Sequence, residues 1–240
     1  MENNMGALTG KTIIVTGASR GLGKEFCKQL ASKGNRVIAA CRTPENVKDL
    51  DTIAELTALD VSIVDSEEDP KSISNWAKTI AGMCDHVDVV INNAGIYGKR
   101  ASFEEMDAET MMEVYRINTV GPFMVSQHLF KHNLLGGTKP SIIANVTSKV
   151  GSVDDNGSGG SYAYRASKSA LNNVNKSMSI DLAEDNITST LLHPGWVRTD
   201  MTSNYGLIDV DESVRGMINV LETKELQGTW HAFDGKVIPW

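Results

Sequence analysis

Hydrophobic positions along the chain fall into short unbroken runs that alternate with longer segments of mixed polarity. The runs are rich in Val, Ile and Ala, and runs of this length and composition predict strands that are buried on both faces. The longer segments repeat their apolar positions at helical spacing. We predict strands at residues 12–15, 36–40, 55–59, 87–91, 141–146, 188–192 and 229–233.

Helices are predicted between these strands at 22–32, from Pro70 onwards, and at 109–134, 164–184 and 211–221. Within the longest of them, Gly121 and Pro122 indicate either a kink or the close approach of a neighbouring element. Strands that alternate with helices are typical of βαβ units on a parallel sheet. The expected fold class is therefore α/β: a single-domain Rossmann fold over residues 1–240, with a doubly wound parallel sheet of about seven strands and helices on both faces.

Composition narrows the possible partners. The formal net charge is −7 and no long basic run is present, so we expect no nucleic-acid partner. No apolar run reaches the length of a membrane span, and residues 1–6 resemble no signal peptide, so we expect no membrane association. Cys27, Cys41 and Cys84 form no CxxC pair and have no metal-ligand spacing. We therefore predict no metal site, and a cytoplasmic protein whose thiols are reduced.

A glycine-rich turn at residues 16–23 separates the first predicted strand from the first helix. Its glycines allow a tight turn and a close approach of the backbone to a pyrophosphate, and the helix that follows directs its free N–H groups at the anion. This position in a βα unit predicts a dinucleotide-binding site. The predicted binding residues of the turn are Gly17, Ser19, Arg20, Gly21, Leu22 and Gly23.

The end of the second strand carries Arg42 and has no acidic residue. An acidic residue at this place would bind the ribose 2′-hydroxyl of NADH, whereas Arg42 together with Arg20 can bind a 2′-phosphate. We therefore expect NADP(H) as the cofactor. After the third strand, Asp60 and Val61 are predicted to reach the adenine, with an ordinary turn as the alternative for Asp60.

The fourth strand ends in small residues and amides. Small side chains there leave room for the adenosine, and the amides can join neighbouring strand ends. The predicted cofactor-binding residues of this segment are Asn93, Ala94 and Gly95.

Tyr164 and Lys168 are separated by one helical turn and lie on the same face of their predicted helix. A free phenol titrates near pH ~10, and a nearby ammonium lowers its pKa towards the working range. The pair can therefore perform acid–base chemistry. The alternative is a half-buried tyrosine beside a solvated lysine.

Taken together and in this order, these motifs resemble the short-chain dehydrogenase/reductase family, and within it the sniffer-like and C-factor-like carbonyl reductases. The resemblance covers nearly the whole chain. The motifs that carry it are TGxxxGxG at 16–23, NNAG at 92–95, Asn118, Ser148, Tyr164-x-x-x-Lys168, the segment 192–201 with Pro194-Gly195, and the ending at 234–240.

The resemblance implies roles for four catalytic residues. Tyr164 would donate a proton to the substrate carbonyl as hydride arrives from the nicotinamide. Lys168 would bind the nicotinamide ribose and lower the pKa of Tyr164. Ser148 would polarise the carbonyl, and Asn118 would hold a water that relays protons to Lys168, although an asparagine bonded to the backbone is a competing interpretation.

Two further hydroxyls compete with these assignments. Thr147 adjoins Ser148, and Tyr162 precedes Tyr164 by two positions but has no lysine four residues later. The resemblance also implies that Pro194 and Gly195 position the nicotinamide, and that Val197 and Thr199 reach its carboxamide. Trp196 would either line the pocket or pack in the core.

The predicted function is the NADPH-dependent reduction of an aldehyde, ketone or quinone to an alcohol. The alternative is a signalling or regulatory protein of the same fold that binds nucleotide with little turnover. The Gly-rich loop at 151–161 would form a flexible, substrate-facing wall, and the short segment at 201–211 predicts an open pocket. We expect a homodimer or homotetramer that forms through the helices carrying Asn118 and Tyr164.

Overall fold

The computed structural model describes residues 7–240, and the segment 1–6, for which no targeting signal was expected, lies outside the described residues. The described chain builds one sheet of seven parallel strands in the order β3-β2-β1-β4-β5-β6-β7. The strands are β1 (Thr12–Thr16), β2 (Arg36–Cys41), β3 (Glu55–Ala58), β4 (Val89–Asn92), β5 (Ser141–Val146), β6 (Ile187–His193) and β7 (Trp230–Ala232).

Apolar side chains of the strands alternate between two cores on opposite faces of the sheet. Ile13 and Val15 pack in one core with α1 (Gly21–Ser32) and α6 (Val210–Thr223), whereas Ile14, between them, packs in the other with α2 (Ile73–Met83) and α4 (Gly121–Lys131). This alternation explains the continuous apolar runs, because a strand covered on both faces has no polar side. The helices are α1 (Gly21–Ser32), α2 (Ile73–Met83), α3 (Ala108–Tyr115), α4 (Gly121–Lys131), α5 (Tyr162–Asp181) and α6 (Val210–Thr223).

The predicted doubly wound α/β fold is confirmed, and several helix boundaries differ from prediction. The helix expected from Pro70 begins at Ile73, because Ser72 caps it by accepting a hydrogen bond from the Asn75 backbone N–H at 3.4 Å. The helix expected at 164–184 spans Tyr162–Asp181, so it begins and ends earlier. Sequence patterns place helix ends only to within a few residues, and at α2 the capping contact decides the end.

The long helix expected at 109–134 is interrupted. A π-helical segment, Arg116–Val120, joins α3 to α4, and Gly121 and Pro122 begin α4. A Cβ on Gly121 would lie 3.0 Å from the Val61 carbonyl oxygen, so the glycine also allows a close approach to a neighbouring segment. The close approach considered for this dipeptide is therefore present, and a kink stays a prediction. The π-helical segment matters for the site because it contains Asn118.

Within residues 7–240, no helix combines the length and the hydropathy that crossing a bilayer requires. In the same range, no three His, Cys, Asp or Glu side chains form a group that could hold a metal ion.

Candidate active site

The predicted site residues meet at the edge of the sheet where the parallel strands end. In a doubly wound sheet, ligands bind at this edge, where the order of the strands reverses on either side of β1 and β4. β1 leads into the glycine turn, β4 into Asn93–Gly95 and β5 into Ser148, and α5 brings Tyr164 and Lys168 beside them.

The glycine turn is joined directly to the end of β4. The Thr16 hydroxyl accepts the backbone N–H groups of Asn93 and Ala94, both at 3.1 Å. In return, the Asn93 side-chain amide donates to the carbonyls of Thr16 at 2.9 Å and Gly17 at 3.3 Å. A Cβ on Gly23 would lie 2.3 Å from the Gly17 carbonyl oxygen, so only glycine allows this packing. The expectation that amides join neighbouring strand ends is met here.

The amino terminus of α1 has the properties of an anion site. Arg20 is its N-cap residue, no side chain caps the helix, and no acidic residue lies in its first turn. Both features suit a phosphate group, because the first N–H groups of a helix and its dipole favour a negative charge. The residues present therefore fit the pyrophosphate of a dinucleotide.

Two arginines flank this turn. Arg42 is exposed directly after β2, and the exposed Arg20 guanidinium lies 3.3 Å from the equally exposed Asp200 carboxylate. Such a surface pair is weak, so Arg20 can exchange this partner for a phosphate.

Asp60 and Val61 both have structural contacts of their own. The Asp60 carboxylate accepts hydrogen bonds from the backbone and the hydroxyl of Ser62, at 2.9 and 2.7 Å, which is the ordinary turn considered as the alternative. Val61 packs against the core that includes α2 and α4. Their contact with an adenine stays a prediction.

Ser148 and Thr147 are neighbours in the chain, but their hydroxyls have different surroundings. The Thr147 hydroxyl is buried and donates to the Asn172 side chain at 2.7 Å, so it faces the interior. Ser148 is partly exposed, and its hydroxyl lies beside Tyr164 and lowers the pKa of that phenol. Of the two hydroxyls, only Ser148 contacts the tyrosine that was predicted to react.

Tyr164 and Lys168 affect each other differently from what their spacing predicted. Burial raises the pKa of Tyr164 to about 12, the Ser148 hydrogen bond lowers it, and Tyr97 raises it. Lys168 is not among the causes, because its ammonium lies 5.8 Å from the Tyr164 ring centre and donates to the Val146 carbonyl at 2.9 Å. The expected lowering of the pKa of Tyr164 by Lys168 is therefore not observed. Burial instead lowers the pKa of Lys168 to about 8.

Asn118 is fully buried and joins two parts of the site. Its side-chain oxygen accepts the Ile96 backbone N–H at 2.9 Å, and its amide donates to the Ile96 carbonyl at 2.8 Å and to the Ser167 hydroxyl at 3.0 Å. These contacts match the competing interpretation of an asparagine bonded to the backbone. They connect the loop after β4 to the helix that carries Tyr164, and the predicted role in holding a water stays a prediction.

Tyr97 was missed by the sequence reading. Its ring stacks on that of Tyr164, with centroids 4.9 Å apart and planes inclined by 25°. Its hydroxyl forms a hydrogen bond with the Ser161 hydroxyl, at the start of α5. The only available signal was an aromatic residue two positions after the NNAG motif, and that signal does not reveal a partner on a distant helix.

A ladder of buried asparagines was also missed. The Asn92 amide donates to the Asn145 side chain at 2.9 Å, and Asn145 donates to Asn175 on α5 at 2.9 Å. The Ser189 hydroxyl continues the ladder to β6 by donating to Asn175 at 2.8 Å. A sequence signal existed, since Asn145 interrupts an apolar strand, where an unpaired amide would be costly.

The segment after β6 returns to the glycine turn. Gly195 has a φ of +85°, and a Cβ there would lie 2.9 Å from the Ile208 side chain. The Pro194 carbonyl accepts the Ser213 hydroxyl at 2.6 Å, and the Val197 carbonyl accepts that of Thr202 at 2.8 Å.

Thr199 lies beside Gly21, since a Cβ on Gly21 would be 3.9 Å from the Thr199 methyl group. The segment after β6 is therefore adjacent to the predicted phosphate turn. Trp196 is 57% exposed, so it does not pack in the core.

The loop at 151–161 is attached to α5 rather than free. The Arg165 guanidinium donates to the Val150 carbonyl at 3.1 Å and to the Ser158 hydroxyl at 2.8 Å. Gly151 packs directly on α5, and its carbonyl accepts the Ser169 hydroxyl at 2.7 Å. Its glycine-rich composition suggested a flexible wall, whereas these contacts hold both ends of the loop.

The fold and the site together define a nucleotide-dependent oxidoreductase. The features that do so are the parallel sheet in this strand order, the glycine turn before α1, and Ser148, Tyr164 and Lys168 at the carboxyl edge. The chain belongs to the short-chain dehydrogenase family, whose profile, described as short chain dehydrogenase, matches residues 11–207. Members of this family use a nicotinamide cofactor, and the residues at the edge of the sheet fit one.

Three individual proteins show which members of the family this chain resembles. The C-signal protein of Myxococcus xanthus is 39% identical over 156 residues, which cover 64% of this chain and 93% of that protein. NADPH-bound carbonyl reductase from chicken fatty liver has a TM-score of 0.86 at 30% identity, over 97% of this chain and 100% of that one. Carbonyl reductase Sniffer of D. melanogaster has a TM-score of 0.85 at 28% identity, over the same shares. The predicted resemblance to the family and to sniffer-like carbonyl reductases is confirmed.

Proposed function

We propose that this protein reduces the carbonyl group of an aldehyde, ketone or quinone to an alcohol with NADPH, and that Tyr164 supplies the proton. The observation that carries the proposal is the Tyr164 phenol, which has the Ser148 hydroxyl beside it and the Lys168 ammonium 5.8 Å from its ring centre, at the edge of the sheet where nucleotides bind. The likeness to two carbonyl reductases, one of them bound to NADPH, supports it.

Each residue then has a definite task. A bound NADPH supplies the hydride. Ser148 orients the substrate carbonyl and donates a hydrogen bond to its oxygen, which stabilises the negative charge that develops there. Tyr164 keeps its proton at neutral pH, because burial raises its pKa to about 12, and releases it to that oxygen. The Lys168 ammonium binds the nicotinamide ribose.

The preference for NADPH rests on charge at the predicted 2′-phosphate position. Arg42 and Arg20 supply two exposed guanidinium groups there, and β2 ends without a carboxylate that would repel the phosphate. Planar guanidinium groups bind phosphate through paired hydrogen bonds. We propose that Gly17, Ser19, Gly21, Leu22 and Gly23 hold the pyrophosphate.

The remaining parts of the cofactor would contact the other strand ends. We propose that the adenosine binds beside Asp60, Val61 and the segment 93–95. The nicotinamide would contact Pro194, Gly195, Val197 and Thr199.

Oxidation of NADPH in the presence of a reactive dicarbonyl tests the proposed activity. Tyr164→Phe removes the proton donor and should lower kcat/KM by about 10²- to 10⁴-fold, since that is the usual contribution of a general acid. Tyr162→Phe is the matched control, because Tyr162 is exposed and two residues away, and it should retain activity within about twofold.

The same assay separates the two functional readings. If wild type and Tyr164→Phe consume NADPH equally slowly with and without the dicarbonyl, the protein is a nucleotide-binding regulator with little turnover and the proposal fails.

The cofactor preference has its own test. Arg42→Ala should raise the KM for NADPH by roughly tenfold and leave the KM for NADH within about twofold, because only NADPH carries the phosphate. Arg36→Ala, at the opposite end of the same strand, is the control and should change neither value. Equal or better use of NADH by the wild type would overturn the preference.

We also propose that the protein associates into a homodimer or homotetramer and that it is cytoplasmic. Met112 on α3 and Ile180 on α5 are 63% and 64% exposed, which supports contact between copies through these helices. Sedimentation velocity of the wild type is expected to show a dimer or tetramer, and a monomer at micromolar concentration would contradict it.

A further inference from the structure

Tyr97 lies next to Tyr164, and Arg100 lies next to Tyr97. Neither has a role in the reaction proposed above. The Tyr97 ring covers one face of Tyr164, and the Arg100 guanidinium lies over the Tyr97 ring, 4.9 Å from its centre. Beside them is a cavity of about 310 Å³, lined by Tyr97, Arg100, Ala101 and Ser161. Tyr97 is thus the wall shared by the reacting tyrosine and this cavity.

The wall is held in place from both sides. The two backbone hydrogen bonds of Asn118 fix Ile96, the residue before Tyr97. The Tyr97 hydroxyl is bonded to Ser161 at the start of α5. Gly98 follows with a φ of +77°, a conformation that disfavours any other residue. A substrate therefore meets a preformed surface, and little conformational freedom is lost when it binds.

The charge of Arg100 is not neutralised by its own segment. Among residues 7–240, none of the ion pairs involves Arg100. Two of the nearby carboxylates have other partners: Glu105 accepts from Ser102 and Asp107 accepts from Thr110, and Lys99 lies 3.7 Å from Asp107. In a chain whose net charge is −7, Arg100 is thus an exposed cation with no ion-pair partner close to the reacting residue.

We propose that Tyr97 and Arg100 form a subsite for an anionic group of the substrate, so that the protein prefers carbonyl compounds that carry a carboxylate. The inference rests on the proposed carbonyl reduction and adds its substrate class. Arg100 binds the carboxylate through its planar guanidinium, and Tyr97 supports the part of the substrate between the two functional groups.

The arrangement also restricts the shape of the substrate. Tyr164 and Arg100 both contact the Tyr97 ring, so the carbonyl and the carboxylate must be separated by a spacer that extends along that ring. The Tyr164 ring centre and the Arg100 guanidinium each lie 4.9 Å from the centre of the Tyr97 ring, so a spacer about as long as one aromatic ring suits their separation. A 2-oxo acid, in which the two groups are adjacent, is too short to reach both residues.

The test compares 4-carboxybenzaldehyde with its methyl ester, two aldehydes that differ chiefly in charge. For the wild type, kcat/KM should be roughly five- to tenfold higher for the acid, the size expected for a partly exposed charged hydrogen bond. Arg100→Gln should bring the ratio close to one, and Arg100→Lys should retain part of it. Lys99→Gln removes the same charge from the neighbouring residue, which is paired with Asp107, and should keep the wild-type ratio.

The outcomes separate this inference from the proposed function. A wild type that reduces both aldehydes equally, or a ratio that Arg100→Gln leaves unchanged, overturns the anionic subsite and leaves carbonyl reduction intact. A wild type that prefers pyruvate to the longer acid overturns the spacer. If neither these aldehydes nor a reactive dicarbonyl is reduced, carbonyl reduction itself fails.

Discussion

Tyr162 and Tyr164 show how two identical side chains acquire different chemistry from their positions. Tyr162 is exposed and meets Phe103 edge to face, with ring centres 5.9 Å apart. Tyr164, one position beyond Ala163, is covered by Tyr97 and bonded to Ser148. Burial and one hydrogen bond decide which phenol can serve as a controlled proton donor.

Lys168 should impose a pH dependence on the reaction. Burial lowers its pKa to about 8, so the ammonium is present below that pH and is lost as the pH rises through it. Because the cation is proposed to bind the nicotinamide ribose, kcat/KM for carbonyl reduction is expected to fall about tenfold from pH ~7 to pH ~9.5. A pH profile of kcat/KM measures this.

Two variants assign that fall to Lys168. Lys168→Arg keeps a cation at all of these pH values and should move the fall to higher pH. Lys149→Gln removes an exposed lysine that is paired with Asp155, and should leave the profile unchanged. A wild-type rate that is constant up to pH ~10 would contradict the prediction.

At the scale of secondary-structure elements, the site depends on the π-helical interruption that joins α3 to α4. The π-helical segment between α3 and α4 carries Asn118, whose side chain bonds both the loop after β4 and α5. A π-helical segment rotates the residues that follow it relative to an ordinary helix. The interruption thus belongs to the construction of the site.

The loop after Ser148 depends on one glycine at its contact with α5. A Cβ on Gly151 would lie 2.9 Å from the backbone carbonyl carbon of Lys168, so Gly151→Ala must displace the loop or the helix. We expect a loss of about 1–3 kcal/mol in the free energy of unfolding and a lower kcat, because Lys168 and Ser148 both adjoin the contact.

Gly157 in the same loop provides the control. A Cβ there would have no atom within 4 Å, so Gly157→Ala should leave kcat unchanged and alter the free energy of unfolding by less than about 1 kcal/mol. Denaturant unfolding and steady-state kinetics of both variants test this, and equal behaviour of the two would refute the proposed contact.

At the scale of the whole molecule, the buried asparagine ladder connects the sheet to the helix that carries the reacting residues. The ladder connects three neighbouring strands to α5. Its members are Asn92 on β4, Asn145 on β5, Ser189 on β6 and Asn175 on α5. A buried polar network of this kind is specific, because any shift in register leaves more buried groups without partners.

Asn145→Ala should therefore destabilise the fold. The substitution removes one partner from both Asn92 and Asn175, and we expect a loss of about 2–3 kcal/mol in the free energy of unfolding. Asn219→Ala, at an exposed position of α6, should change it by less than about 0.5 kcal/mol. Thermal and denaturant unfolding compare the two, and a loss below about 1 kcal/mol for Asn145→Ala would show that the ladder contributes little.

The sequence by itself determined the sheet, the order of its motifs and the family. Continuous apolar runs, the glycine turn and Tyr164-x-x-x-Lys168 are local patterns, and their consequences follow from backbone geometry, from burial and from spacing along one helix. For this reason the seven strands and the carboxyl-edge position of the site were predictable.

Only the tertiary structure decided which of the candidate groups meet. It directed Thr147 to the interior and Ser148 to Tyr164, turned the Lys168 ammonium towards the Val146 carbonyl, and placed Tyr97 over Tyr164. These contacts join segments that are far apart in the chain, and they depend on helix rotation and strand register, which no local pattern encodes. The pKa values of Tyr164 and Lys168 follow from that burial, so they too belong to the folded protein.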